Sequence, residues 1–275
     1  LRGGVDLEGT AEVGTIALGL YLEDPVTSDA DGIVVPENRD FDMDQGIAAA
    51  LRDAAGPEPE IQAMYYGRGE VGGTVLTRPG LLRTKRLIHT VAVDDRGILT
   101  EESLRAGIAA AMDACMEKNL PTVLFPDFGD SWPGLSPMTR ARITVETVAK
   151  ALNERFPAME SIVFSVLPEN RIFWRIALNR LAGKPADWSK LPKSALVCGV
   201  RGIRKGDVMR TILEGATTPE EAMRILGMTE VHQGSDCGDR TATGDPCSIG
   251  LPEVFRTYFE ALQSLSTGYG SCGNG

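Results

Sequence analysis

The chain has 275 residues, 43% of them apolar, five cysteines and a formal net charge of −10. That length exceeds an ordinary domain and fits one of roughly 150–190 residues plus a smaller one, with enough apolar content for a core. The acidic balance excludes broad, phosphate-driven nucleic-acid binding, no apolar run approaches the ~20 residues of a membrane span, and the odd, sparse cysteine set is unlike a disulfide scaffold.

Leu1-Arg2-Gly3-Gly4 carries neither an initiating Met nor the apolar core of a signal peptide. The expectation is a soluble, cytoplasmic protein whose start is either processed or truncated. A first strand is predicted within Glu12 to Leu22, where Val13, Thr15, Ile16, Leu18 and Leu20 recur. A second, Gly32 to Val35, runs into a polar loop and a small-residue helix from Gly46 to Ala55. Two β-branched runs, Gly73–Thr77 and Arg86–Val93, flank the turn signal Pro79-Gly80. The basic cluster Arg78 to Arg86 reads as a loop leading into a strand.

Thr100, with Glu101 and Glu102 behind it, is a good N-cap for a helix from Glu101 to Glu117. Pro121–Phe128 is a buried strand. A helix at Pro137 to Arg155, a strand at Ser161–Leu167 and a helix at Arg171–Ala182 follow. Strand and helix alternate from Gly32 onward, which predicts a largely parallel sheet between helix layers with its functional loops at one edge. Gly183 to Ser194, with two prolines and no apolar period, reads as a linker, so the predicted division is 1–182, a linker at 183–195 and a helical domain at 196–275. That last domain shows short helices at Lys205–Glu214, Pro219–Leu226 and about Leu251–Leu265.

The text from Ala30 to Gly56, the block Ile88-His89-Thr90-Val91, and the run from Phe125-Pro126 to Thr147-Val148 resemble, in this order, the blocks of the macro domain, an ADP-ribose-binding module. The resemblance covers about Glu12 to Leu181 and implies a three-layer α/β/α fold. It places Asp24 where the family binds the adenine amino group, Asn38 near the distal ribose, and the segment from Gly129 through Asp130 and Trp132 to Gly134 on the phosphate loop, of which only the last glycine survives. Trp132 is expected either to stack on a base or ribose or to lie as a lid over an unused pocket. His89 is expected to be a buried, hydrogen-bonded strand residue.

The main departure is the loop Asp40-Phe41-Asp42-Met43-Asp44-Gln45-Gly46, with a single glycine, Gly46, where the family is glycine-rich. Glycines matter there because backbone N–H groups can approach a pyrophosphate only where side chains are absent. Three carboxylates beside a diphosphate call for a bridging cation such as Mg²⁺, to which Asp127 and Asp130 add charge, or for a different ligand. The loop is equally readable as a solvated acidic turn.

Leu196 to Val200 and Ile203 to Met228 resemble the small [2Fe-2S] domain of the bacterioferritin-associated ferredoxin type. Thr218 before Pro219 is also a helix N-cap on its own physics. The resemblance implies a cluster held by four thiolates. Cys198 and Cys237 fall on ligand positions, but Val200 and Arg240 stand at the other two, leaving Cys247 and Cys272 as replacement ligands. Zinc held by these cysteines, with His232 as a substitute, and no metal at all are the alternatives. Cys115 is expected in the core.

The function these readings imply is binding of an ADP-ribose-like nucleotide, coupled to a metal or redox centre. Its enzymatic form is hydrolysis of ADP-ribosyl linkages with Asn38, Asp42 and Asp44 as candidates. The alternative is a non-enzymatic interaction or structural protein whose macro fold carries no ligand.

Overall fold

The computed structural model describes residues 5–130, 132–155, 158–228, 241–245 and 247–268, with side chains for all of these except 5–9, 130 and 266–268. The chain divides into two units, Leu1–Lys184 and Pro185–Gly275.

In the first unit, β1 (Val5–Val13) and β2 (Ile16–Tyr21) form an antiparallel hairpin. The single strand expected from Glu12 is cut because Gly14 adopts φ +61°, a left-handed turn open to glycine. Then come β3 (Gly32–Glu37), β4 (Thr74–Thr77), β5 (Arg86–Val91), β6 (Thr122–Pro126) and β7 (Ser161–Ser165), giving one seven-stranded sheet of order β1-β2-β7-β6-β3-β5-β4. Neighbours from β2 to β5 run parallel, and antiparallel β1 and β4 close the two edges. The registers align Tyr21 with Ser165, Ser165 with Pro126, and Glu37 with Val91, so the carboxyl ends of the five parallel strands form one edge.

The crossovers are helical: α1 (Gly46–Ala55), α2 (Glu58–Met64), α3 (Glu101–Glu117), α4 (Pro137–Arg155) and α5 (Arg171–Leu181). The bounds expected for α1, α3 and α4 match these. The extra helix α2 follows Pro57 and carries Pro59 in its first turn, where proline is tolerated but reads in sequence as a breaker. Thr100 caps α3, its hydroxyl accepting the Ser103 amide at 3.1 Å. β3 alternates in the two-residue period: Ile33 and Val35 enter one core cluster with Ala48 and Leu51 of α1, Leu124 and Met43. α3 packs on α4 and α4 on α5, whose Trp174 ring lies 5.1 Å from that of Phe164. The sheet is flanked by helices as expected, and Cys115 is buried in α3 with its thiol pushed up to about 12 by burial.

The second unit opens with most of the segment read from sequence as a linker. Trp188 is fully buried, and its indole N–H donates to Glu253 at 3.0 Å, so residues 185–195 are part of this unit's own core. A two-stranded hairpin, β8 (Leu196–Cys198) with β9 (Ile203–Arg204), leads to α6 (Lys205–Leu213), α7 (Pro219–Ile225) and α8 (Cys247–Gly268). Thr218 caps α7, accepting the Glu221 amide at 3.2 Å. No helix among the described residues is long and apolar enough to cross a membrane.

Candidate functional site

A cleft of about 410 Å³ opens at the carboxyl edge, walled by the loops after β3, β5 and β6. Asn38, Arg39, Asp40 and Gln45 come from the first loop, Asp94 to Gly97 from the second and Trp132 with Pro133 from the third; Arg68, after α2, closes the rim. Its volume suits a small organic ligand.

The loop after β3 is held by its side chains rather than by glycines. Phe41 (φ 56°) and Met43 (φ 45°) are left-handed, a conformation costly for residues with a Cβ. Both side chains are buried, Phe41 with Ala63, Val75 and Val91, and Met43 in the main core cluster. Burying two large apolar side chains, worth about 1.5–3 kcal/mol each, offsets that strain. Gly46, at φ 50°, begins α1 and is not among the cleft's lining residues.

The three aspartates of this loop are not gathered around a cation. Asp42 accepts the Asn38 amide N–H at 2.8 Å, Asp44 pairs with Arg52 at 2.9 Å, and Asp40 lies 3.8 Å from Arg68. Of these only Asp40 lines the cleft, so Asp42 and Asp44 are not placed to act on a ligand there. Asn38 does line it, and its carbonyl oxygen also accepts the Asp40 amide at 2.9 Å.

Charge in the cleft is balanced by pairing. The Arg39 guanidinium donates to Glu70 at 2.5 Å, to Asp95 at 3.3 Å and to the Gly69 carbonyl at 2.8 Å, and Arg68 also binds Asp95. Arg96 is paired with Asp94, whose carboxyl is held below its ordinary value by the Ile98 amide and the Arg96 guanidinium. These cations were missed in the sequence. Asp94-Asp95-Arg96 follows a strand at the carboxyl edge and could have been found by position, whereas Arg39 and Arg68 carry no spacing signal.

Trp132 is nearly buried, its ring edge lies against Gly97, and its indole N–H has no hydrogen-bond partner among the described residues. Gly134 is explained by packing: at φ 136°, an added Cβ would sit 2.1 Å from the Leu99 carbonyl oxygen. Asp127, expected to add free charge, is instead buried and ion-paired with Arg140 at 2.7 Å. Asp24 caps a short turn by accepting the Val26 amide at 3.0 Å, on the same edge but not in the cleft lining. The side chain of Asp130 lies outside the described residues. His89 is buried as expected, between Glu37 and Thr77 at 2.9 Å each.

In the second unit, Cys198 ends β8 and Cys247 begins α8, both buried, while Val200 is half-exposed at the missing ligand position. Cys237, Cys272 and His232 lie outside the described residues. Among the described residues no group of three or more His, Cys, Asp or Glu side chains gathers to hold a metal.

Sheet order and parallel crossovers define an α/β module with a cleft at the strands' carboxyl edge, the place where open α/β sheets bind ligands. Residues 34–144 match the macro domain. An uncharacterized protein of Aquifex aeolicus (strain VF5) is 31% identical over 123 residues, which are 44% of this chain and 74% of that protein. The ADP-ribose glycohydrolase MACROD2 of Xenopus laevis is 23% identical over 55% of this chain, which spans 37% of that protein's length. The Trypanosoma brucei macrodomain in complex with ADP-ribose superposes with a TM-score of 0.53 at 21% identity, covering 57% of this chain and 67% of that one. Through its first unit the chain belongs to the macro-domain family. The match ends at residue 144 and lends nothing to the ferredoxin-type resemblance of the second unit.

Proposed function

We propose that the protein binds an ADP-ribose-like nucleotide in the carboxyl-edge cleft, and that its diphosphate is met by arginine side chains rather than by a glycine-lined backbone cradle. The observation that carries this reading is the set Arg39, Arg68 and Arg96 around one cleft whose wall also presents Trp132. Guanidinium groups bind phosphate oxygens through paired N–H donors, and an indole supplies a stacking face for a base or ribose. A ligand phosphate would displace Asp95 from Arg39 and Arg68, so binding exchanges one anion for another.

Asp24 stands after β2, three strands from β3, or about 14 Å at the usual interstrand spacing. That separation suits the two ends of an elongated nucleotide, with adenine at Asp24 and the distal ribose near Asn38. The acidic loop is not proposed as a Mg²⁺ site, because Asp44 is taken by Arg52 and Asp42 by Asn38. Binding is favoured over hydrolysis, since Asp40 and Asp94, two of the carboxylates lining the cleft, are paired with arginines and the third, Asp95, is free only once a phosphate has displaced it. A general base must reach a water beside the ligand.

The test is affinity for ADP-ribose in a variant series at two ionic strengths. Arg68→Ala and Trp132→Ala should each weaken binding by about ten-fold, about 1.4 kcal/mol, whereas Asp95→Asn should strengthen it by removing an anion that competes for Arg39 and Arg68. The affinity should fall with added salt. Wild-type affinity in all three variants would refute the assignment of the cleft.

A further inference from the structure

Behind the cleft loop lies a buried polar chain that the binding reading does not use. Glu37, at the end of β3, is 1% exposed; one carboxylate oxygen lies 2.9 Å from His89 Nδ1, and the other accepts the Met43 amide at 3.3 Å. On its far side His89 Nε2 lies 2.9 Å from the hydroxyl of Thr77, also buried. Met43 is one of the two left-handed residues on which the loop turns, and its amide has to be satisfied in the interior.

Resting on the nucleotide-binding reading, we propose that Glu37 is a positioning residue for the ligand-binding loop: braced by His89, its carboxylate holds the Met43 amide and fixes the turn that carries Asn38, Arg39 and Gln45 into the cleft. A buried carboxylate with both oxygens engaged is costly to move, because any displacement leaves a donor or an acceptor orphaned. The loop is thereby set before the ligand arrives, which lowers the ordering cost of binding.

The titratable groups acting on Glu37 are His89 from β5 and Asp42 from the loop, while Thr77 and Met43 are uncharged partners. Burial pushes the Glu37 carboxyl up from its ordinary 4.5, against the lowering by His89 and the Met43 amide. The folded state therefore holds a proton more tightly than the unfolded one. Its stabilisation is complete below 4.5 and is lost as pH rises through the raised folded value. Glutamine at position 37 removes the titration. It can still accept the Met43 N–H and donate to His89 Nδ1, with His89 Nε2–H then donating to Thr77.

The experiment measures ADP-ribose affinity, thermal stability and Met43 amide hydrogen exchange from pH 5 to 9 in wild type, Glu37→Gln and Glu37→Ala. Expected are a wild-type stability that declines as pH rises through the raised Glu37 value and a flatter one in Glu37→Gln, ADP-ribose binding retained in Glu37→Gln, whose amide still accepts the Met43 N–H, and in Glu37→Ala an affinity loss of about ten-fold with faster Met43 exchange. Binding lost in Glu37→Gln as fully as in Glu37→Ala, or unchanged Met43 exchange in Glu37→Ala, would overturn the proposal. If wild type does not bind ADP-ribose, the nucleotide reading fails, while the exchange and stability arms still decide the role of Glu37.

Discussion

Arg140 grips Asp127 with both arms of its guanidinium, 2.7 Å to each carboxylate oxygen, and both side chains are buried. The same arginine donates to the Leu135 carbonyl at 2.8 Å, and Asp127 accepts the Gly129 amide at 3.0 Å. One ion pair thus ties α4 to both ends of the loop that carries Trp132. Gly129 is part of the clamp, because an added Cβ would lie 2.0 Å from Arg140 Nε.

Removing either partner leaves an uncompensated buried charge, so Arg140→Ala or Asp127→Ala should lower unfolding free energy by about 3–5 kcal/mol. Urea denaturation measures this directly. A loss below about 1 kcal/mol, the range of exposed ion pairs, would show the clamp to be slack.

Gly134→Ala should destabilise by at least about 1–3 kcal/mol, combining a strained φ with a clash against the backbone of Leu99. Near-ultraviolet circular dichroism should change as the Trp132 loop shifts. An unperturbed spectrum and an unchanged melting temperature would contradict the packing role assigned to Gly134.

On the acid side, Asp31 is partly buried, and burial works against its charge, but the Lys85 ammonium and the Thr122 hydroxyl and amide outweigh that and hold its carboxyl below 3.8. A lowered folded value means stability present above 3.8 and lost as pH falls through the folded value. Asp31→Asn should flatten the acid limb of the stability profile and leave its slope above pH 6 unchanged; an acid limb as steep as wild type would count against this pairing.

Much of the fold was legible because its signals are local and periodic. Thr100 caps α3 where its hydroxyl predicted, and the continuous apolar run Ile33-Val34-Val35 marks a strand buried on both faces. The cleft was only partly legible. Asn38 and Trp132 could be placed by strand-end position, but the hydrogen bond from Asn38 to Asp42 and the ion pairs of Asp44 with Arg52 and Asp127 with Arg140 depend on how the folded loops and helices meet. The cleft-lining arginines Arg39 and Arg68 were hidden for the same reason. The sparse apolar text from Gly183 to Ser194 concealed that a single tryptophan, Trp188, anchors it.

For the second unit, Cys198→Ser should cost about 1–3 kcal/mol by placing a hydroxyl in the buried thiol's site, with the metal-to-protein ratio unchanged by elemental analysis. Iron or zinc lost together with the substitution would support the reading in which Cys198, Cys237, Cys247 and Cys272 share a metal.

Calorimetric titration of the wild-type chain with ADP-ribose, once in EDTA and once with Mg²⁺, tests the central claim most directly. Saturable one-to-one binding of equal affinity in both buffers is predicted, since arginines rather than a cation meet the diphosphate. No heat in either buffer would contradict nucleotide binding, and binding that appears only with Mg²⁺ would contradict the assignment of the arginines.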